Sequence, residues 1–496
     1  MLEVRTSRLR LRQWCKATKR HKNRKNDMNE QQAKDYIDRF WDAEVIPTIS
    51  RYIEIPNESP EFDPKWRENG YMQRAVRLVK QWVEKQDIRK SKLEVFSPPD
   101  RTPLLLLEVE GTAGGDPILL YGHLDKQPAM TGWAADLDPW KPVLRNGRLY
   151  GRGGADDGYA IFAVVSAVKA LERLDAPHPR LVAIIECCEE SGSFDLPAYV
   201  DQLAPRIGTP GLVICLDSGC GNYEQLWSTT SLRGLLAGDL TVSVLREGVH
   251  SGDASGIVPS SFRILRHLLS RLEDPATGRI LPPWLHAEIP QNRLAEARRT
   301  AEVLGSAVYD KFPFVEGAVL MDSDPVELIL NRTWRPTLSV IGQAGMPDIG
   351  HAGNVLRPYT SFKLSVRLPP TLKTDGVGEK LKQMLESNPP YGAHVRFDRI
   401  NAAAGWEAPA PAPWLERSVE KASATFFGKS ACSYGEGGSI PFMGMLGEKF
   451  PRAQFLITGV LGPESNAHGP NEFLHINTAK NLTASVASVI EDFTRR

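Results

Sequence analysis

Two hydrophobic textures alternate along this chain. Over 35–49 and again over 71–84, apolar residues recur at the three-to-four-residue spacing of a helix buried on one face. Short, continuously apolar runs follow at 104–109, 118–121, 181–185 and 212–216, and one more comes late, at 454–458. Such runs, rich in Leu, Ile and Val and without alternation, predict strands covered on both faces of a largely parallel sheet. The helical period returns over 160–174, where Ile161, Val164, Val165, Val168 and Leu171 share a face. Strands alternating with helices imply an α/β sheet carrying helices on both sides.

Between 232 and 405 the texture changes. Residues 240–245, 362–368 and 395–400 alternate apolar with polar, as strands with one wet face do, and helical stretches at 261–272 and 377–385 separate them. The order β-α-β-β-α-β predicts a small α+β domain of ferredoxin-like type inserted into the larger one. Residues 275–335, rich in Pro and Arg, read as an elaboration of it. The Pro-Ala run at 408–413 reads as a stiff connector back to the first domain. The expected organisation is therefore a basic extension over 1–27, a catalytic domain over 28–231 and 406–496, and an inserted domain over 232–405.

Length and charge narrow the class. At 496 residues there is material for more than one core, and no apolar run approaches the length needed to cross a bilayer. Lys+Arg and Asp+Glu are balanced at 60 each, yet residues 1–27 hold ten Lys/Arg against Glu3 and Asp27, so the body is mildly acidic and offers no nucleic-acid groove. The basic stretch reads as a disordered leader ahead of Met28, with a nucleic-acid or membrane tail or a transit segment as the alternatives. No secretory signal is recognisable. Six cysteines without a C-x-x-C pair argue against a disulfide framework or a thiolate zinc site, and predict a reducing, cytoplasmic setting.

The chemistry is positional. Strand 118–121 runs into His123-Leu124-Asp125, strand 181–185 into Glu186 through Glu190, strand 212–216 into Asp217, and the last strand leads through a loop to His468. Asp156-Asp157 follows Gly151-Arg152-Gly153-Gly154 and opens a helix. In open α/β sheets ligands bind beyond the carboxyl ends of the strands, so these groups should converge on one crevice. So many carboxylates cannot share a dry crevice without cations. Histidine with Asp/Glu and no thiolate suits catalytic zinc or manganese. Asp156, Glu190, Asp217 and one hydroxide balance two divalent ions, which can share a bridging carboxylate and the hydroxide. Asp125 is spaced to orient the His123 imidazole, and Glu189, beside Glu190, to act as general base.

These motifs, with Glu189-Glu190-Ser191-Gly192-Ser193 and Ala467-His468-Gly469-Pro470-Asn471-Glu472, resemble those of the M20 di-metal peptidases, the carnosinase-like dipeptidase branch above all. The resemblance implies a phosphorylase/hydrolase-like catalytic domain with an inserted lid that makes a homodimer contact. It assigns His123 and Asp217 to one metal, Glu190 and His468 to the other, and Asp156 to both, with Glu189 as base and Asp125 as the orienting acid. His250, in His250-Ser251-Gly252, matches a lid histidine that stabilises the oxyanion. Arg367 and the loop containing Gly437, Gly438 and Ser439 match groups that hold a substrate carboxylate. One departure stands out: relatives often carry Lys-Gly after the Asp-Asp pair, where this chain has Gly158-Tyr159.

Other chemistries fit less well. Gly151-x-Gly153-x-x-Asp156 places an acid where a dinucleotide fingerprint needs its last glycine, and neither a G-x-S-x-G elbow nor a P-loop occurs. His351 and His475 read as ordinary loop and strand residues. The expected activity is hydrolysis of a dipeptide or similar small amide with a free carboxylate by two zinc ions (manganese or cobalt being possible), through a metal-bridging hydroxide. The alternatives are an N-acyl, N-carbamoyl or succinyl-amine deacylase and, remotely, a non-catalytic metal-binding regulator.

Overall fold

The computed structural model describes residues 28–438 and 440–496, so the basic stretch 1–27 and Ser439 lie outside the described residues. The chain forms two compact units. The first comprises the described residues up to Trp227 with Ala410–Ala431 and Arg452–Arg496; the second comprises Ser228–Pro409 with Cys432–Pro451.

A six-stranded sheet organises the first unit, in the order Ser91–Phe96, Leu104–Val109, Leu181–Glu186, Ile118–His123, Leu212–Cys215, Gln454–Ile457. The last four run parallel to one another, and the first two are antiparallel additions at one edge. Every residue of Ile118–His123, Leu181–Glu186 and Leu212–Cys215 is buried, which is why these runs show no alternation. The sheet is thus mixed but largely parallel. Strand Ser91–Phe96 escapes the hydrophobic pattern because it is a half-exposed edge carrying Lys92 and Glu94, a composition that discourages pairing with other chains.

Helices cover the sheet. Tyr159–Arg173 is apolar almost all round and correspondingly buried, and Ile476–Phe493 buries residues on every face. Glu30–Phe40 and Tyr71–Lys85 present one apolar stripe each, and the Trp82 and Phe162 rings meet edge to face at 4.6 Å. Asn29 caps the first of these, its side chain accepting the Gln32 amide at 2.9 Å.

The second unit is built on a four-stranded antiparallel sheet in the order Thr337–Ala344, Tyr359–Leu368, Gly234–Ser243, His394–Ala403. Helices Ser261–Leu269 and Val377–Glu386 pack on it through Ile264, Leu265, Leu268, Leu381 and Leu385, giving the β-α-β-β-α-β order. Residues 275–335 contain helices Gln291–Leu304 and Pro325–Thr333, which form a small core of their own around Ala297, Ile329 and Trp334. Residues 432–451 group with this unit, and their strand Cys432–Glu436 joins Trp227–Leu232 in a three-stranded sheet.

Candidate metal centre

The site grows from the carboxyl ends of the parallel strands of the first unit. Strand Ile118–His123 ends on His123, fully buried. Gly122 is required just before it, because a Cβ there would lie 2.5 Å from Ala160 Cβ and 2.8 Å from Asp157 Oδ2. That close approach seats the start of helix Tyr159–Arg173 and the Asp156-Asp157 pair beside the strand end. Downstream, Leu181–Glu186 leads to the short turn Glu189–Ser191, and Leu212–Cys215 leads to Asp217.

These ends converge. His123 Nε2 lies 3.4 Å from Asp156 Oδ1, 3.9 Å from Asp217 Oδ2 and 3.9 Å from Glu189 Oε2. On the other side of Asp156, Oδ2 is 3.0 Å from His468 Nε2, which also lies 3.2 Å from Glu190 Oε2. Two ligand-like groups result, His123–Asp156–Asp217 and Asp156–Glu190–His468, the atoms of each within 4.8 Å of one another. Asp156 belongs to both, one oxygen turned to each histidine.

Asp125 does more than face a ring. Its Oδ1 lies 3.5 Å from His123 Nδ1 and accepts the Glu189 amide at 3.1 Å, while Oδ2 accepts the Glu190 amide at 2.9 Å and the Ser59 hydroxyl at 2.7 Å. Asp125 thereby fixes both ring and turn, its main-chain carbonyl meeting His123 Nδ1 at 3.1 Å while its buried carboxylate holds the turn that presents Glu189 and Glu190. Gln127 donates to Glu190 Oε2 at 2.6 Å. The glycine loop bearing Asp156 is held by a buried ion pair, Arg152 to Glu472 at 2.6 Å, and Glu472 also accepts the Gly153 amide at 2.9 Å. Ser59, Gln127, Arg152 and Glu472 have no metal-ligand spacing to announce them; only their contiguity with the quoted motifs marks the last three.

The electrostatics ask for cations. Burial pushes Asp217 up to about 7, with Asp156 and Glu190 adding to it against His123. Burial likewise raises Glu189, then Asp217 does, and burial with Asp156 raises Glu190. Burial opposes charge on His468 too, but its hydrogen bonds to Asp156 and Glu190 win and carry it to about 11. Asp156, between two histidines, is held below the usual carboxylate range although burial opposes it. Protons here do the work of counter-charge. His123 Nε2 and Glu190 Oε1 are buried with no hydrogen-bond partner, an expensive state that a coordinated ion relieves. The nitrogen and carboxylate donors suit a divalent cation at a catalytic site, and no thiolate competes: burial keeps Cys187 and Cys188 protonated.

A cation entering this site must displace those protons. Asp217 at about 7 and His468 at about 11 hold theirs near neutrality, so acidification strengthens the competitor. Cation affinity is expected to fall steadily from about pH 8 to about pH 6, with proton release on binding; calorimetry in buffers of different ionisation enthalpy measures both.

The other expected site residues belong to the second unit. His250 is exposed at the end of Val249–His250 and caps helix Ser251–Ala254, its Nδ1 accepting the Gly252 amide at 3.1 Å. Arg367 sits on Tyr359–Leu368, in register with Leu235 on one side and Thr337 on the other, and burial lowers its pKa. Gly437 is tied by its carbonyl to Arg233 Nε at 3.2 Å, whereas Gly438 is open; Ser439 lies outside the described residues. Arg233 is buried and donates also to Thr337 Oγ1 at 3.1 Å. Nothing in its local sequence signals that anchoring role.

Comparison with known proteins agrees with this architecture. The cysteinylglycine-S-conjugate dipeptidase of Corynebacterium striatum is 25% identical over 392 residues, covering 76% of this chain and 82% of that protein. The human Beta-Ala-His dipeptidase is 26% identical over 461 residues, 88% of this chain and 87% of its own length. Among solved structures, the Saccharomyces cerevisiae di-peptidase Dug1p superposes with a TM-score of 0.73 at 21% identity, over 95% of this chain and 99% of that one. Human carnosine dipeptidase 1 gives 0.72 at 21%, over 94% and 100%. The profile of peptidase family M20/M25/M40 matches residues 119–492, a span that opens just before His123 and closes beyond His468. With both ligand groups inside that match, the chain belongs to peptidase family M20/M25/M40.

Proposed function

We propose that this protein is a metal-dependent dipeptidase, cleaving the amide of a small peptide that ends in a free carboxylate. The observation that carries the reading is Asp156, whose two oxygens face His123 and His468 from one buried side chain. In this reading His123 and Asp217 hold one divalent cation, Glu190 and His468 the other, and Asp156 both; zinc suits the donors best, and manganese or cobalt also fits. Such cations supply Lewis acidity toward a carbonyl and make water nucleophilic near neutral pH.

The remaining steps fall to side chains. Glu189, raised by burial and by Asp217, takes a proton from the attacking water and returns it to the leaving amine. Asp125 holds both the His123 ring and the Glu189 turn in place. His250 uses Nδ1 as an acceptor, so its neutral ring carries the proton on Nε2, a donor for a developing oxyanion. Arg367 and the Gly437–Gly438–Ser439 loop hold the substrate carboxylate. The catalytic role falls to the first unit and the lid role to the second, so that 432–451, expected in the catalytic domain with the rest of 406–496, go with the lid. The lid sheet ends in the strand Thr337–Ala344, whose exposed Val340 and Ile341 support a homodimer formed through that edge. Five free cysteines among the described residues support a cytoplasmic setting.

The test is amino-acid release from matched dipeptides and N-acyl amino acids, using protein stripped by chelator and reloaded with zinc, manganese or cobalt. Cleavage of dipeptides restored by metal is expected, with light scattering giving twice the 55.0 kDa chain mass. Preference for N-acyl amino acids would replace the dipeptidase reading with a deacylase, and no metal-dependent cleavage in either half would end both.

A further inference from the structure

Lys126 is the one lysine in the buried set of the described residues, and it lies three positions past His123. Its ammonium is satisfied in an unusual way. Nζ donates to the carbonyls of Tyr52 at 2.9 Å, Ile55 at 2.8 Å and Ile53 at 3.4 Å, and it sits 4.0 Å from the centre of the Tyr52 ring. Three carbonyls face the amino group, enough for every N–H of its protonated form, although burial, with Arg152 nearby, pulls its pKa well below the ordinary lysine range. Tyr52 and Ile53 close the helix Ile46–Ile53, whose last carbonyls carry its negative end; Tyr52 O accepts the Ile55 amide at 3.1 Å as well as the lysine. The aromatic face adds an attraction for the protonated form.

The clamp reaches both halves of the metal centre. The backbone after His123 is stitched to the same segment: Leu124 O accepts from the Tyr52 hydroxyl and from Asn57 Nδ2, and Lys126 O accepts the Ser59 amide at 2.9 Å. The aliphatic stem of Lys126 meanwhile runs beneath the glycine loop that bears Asp156. At Gly153, where φ is +76°, a Cβ would meet Lys126 Cγ at 2.5 Å. The departure at Gly158 belongs to the same place. A side chain there would run into the Tyr52 ring and the Gly153 carbonyl, so the ring that Lys126 Nζ faces also keeps 158 bare.

We propose that Lys126 is a positioning residue of the metal centre, its buried amino group and stem holding the His123–Asp125 strand end against the Asp156 loop. It touches neither ligand, and acts through Tyr52, Leu124 and Gly153. The inference rests on the metallopeptidase reading above.

The experiment compares wild type with Lys126→Met, which keeps the stem and removes the N–H donors, and Lys126→Gln, which keeps two of them. Val168→Ala, a buried change in helix Tyr159–Arg173, reports what a loss of stability alone does. Zinc affinity is measured by competition with a chromophoric chelator, and the thermal midpoint of each metal-free form is recorded. Zinc affinity is expected to fall about 10–100-fold in Lys126→Met, the range for residues that orient ligands, and less in Lys126→Gln, at temperatures where both are folded. Val168→Ala should bind zinc as wild type does. Should Lys126→Met fail to fold, Lys126→Gln decides alone. Wild-type affinity in the folded variants, or an equal loss in Val168→Ala, overturns the positioning role. Failure of the wild-type chain to bind zinc, manganese or cobalt would instead overturn the metallopeptidase reading, and this inference with it.

Discussion

Glu189→Gln is expected to reduce kcat by about 10²–10⁴-fold, the span for a general acid–base group, while leaving metal content unchanged. The substitution keeps the shape of the side chain and the backbone amide that Asp125 accepts, so the turn Glu189–Ser191 should persist. What it removes is the proton acceptor. The wild-type carboxyl is suited to the task because burial and the neighbouring Asp217 raise it above the ordinary range. Steady-state kinetics with metal analysis on the same sample checks this. A variant retaining more than about a tenth of wild-type kcat would place the base elsewhere. Metal loss in parallel would make Glu189 a ligand instead.

The second large effect is expected at Asp156. Asp156→Asn replaces one of its two oxygens by an amide and removes the charge that both histidines face. An outer contact to a metal ligand is worth about 10–100-fold in affinity; loss of the shared carboxylate should exceed that and abolish turnover at any practical metal concentration. The metal-free chain should behave differently. Without Asp156, His468 loses one of the two carboxylates that hold a proton on it, so it should titrate well below its position in the wild-type chain. Imidazole NMR titration of metal-free wild type and variant reads that shift directly. An unchanged His468 titration would mean that Glu190 alone sustains it.

The strand ends were the legible part of this molecule. Fully buried parallel strands cannot hide a histidine or carboxylate at their exits, so His123, Glu190 and Asp217 stand out against Leu, Ile and Val. The helical and alternating patterns carried the two sheets for the same reason: period and burial are coupled. Partnerships across long stretches of chain were not legible. Arg152 and Glu472, 320 positions apart, pair because a glycine loop brings them together, and no local pattern encodes that. Asp125 was readable as a partner of His123 at a spacing of two, but its hydrogen bonds to the amides of Glu189 and Glu190 depend on the register of two adjacent parallel strands. Nothing in the sequence sets Lys126 apart from the other lysines. Only the folded chain shows it capping a helix from beneath the site.

The first unit is assembled from three separated stretches, and this dictates the order in which the chain can fold. Its parallel edge strand Gln454–Ile457 pairs with Leu212–Cys215, and the enveloping helix Ile476–Phe493 lies later still, after the whole of Ser228–Pro409. Until those residues leave the ribosome, Leu212–Cys215 is an unpaired apolar edge of the kind that recruits other chains. The four-stranded sheet of the second unit lies within one continuous stretch and can close in the meantime. Biosynthesis of the metal centre is therefore a waiting problem: His123, Asp156, Glu190 and Asp217 are made early, and His468 and the helix that buries their support arrive last.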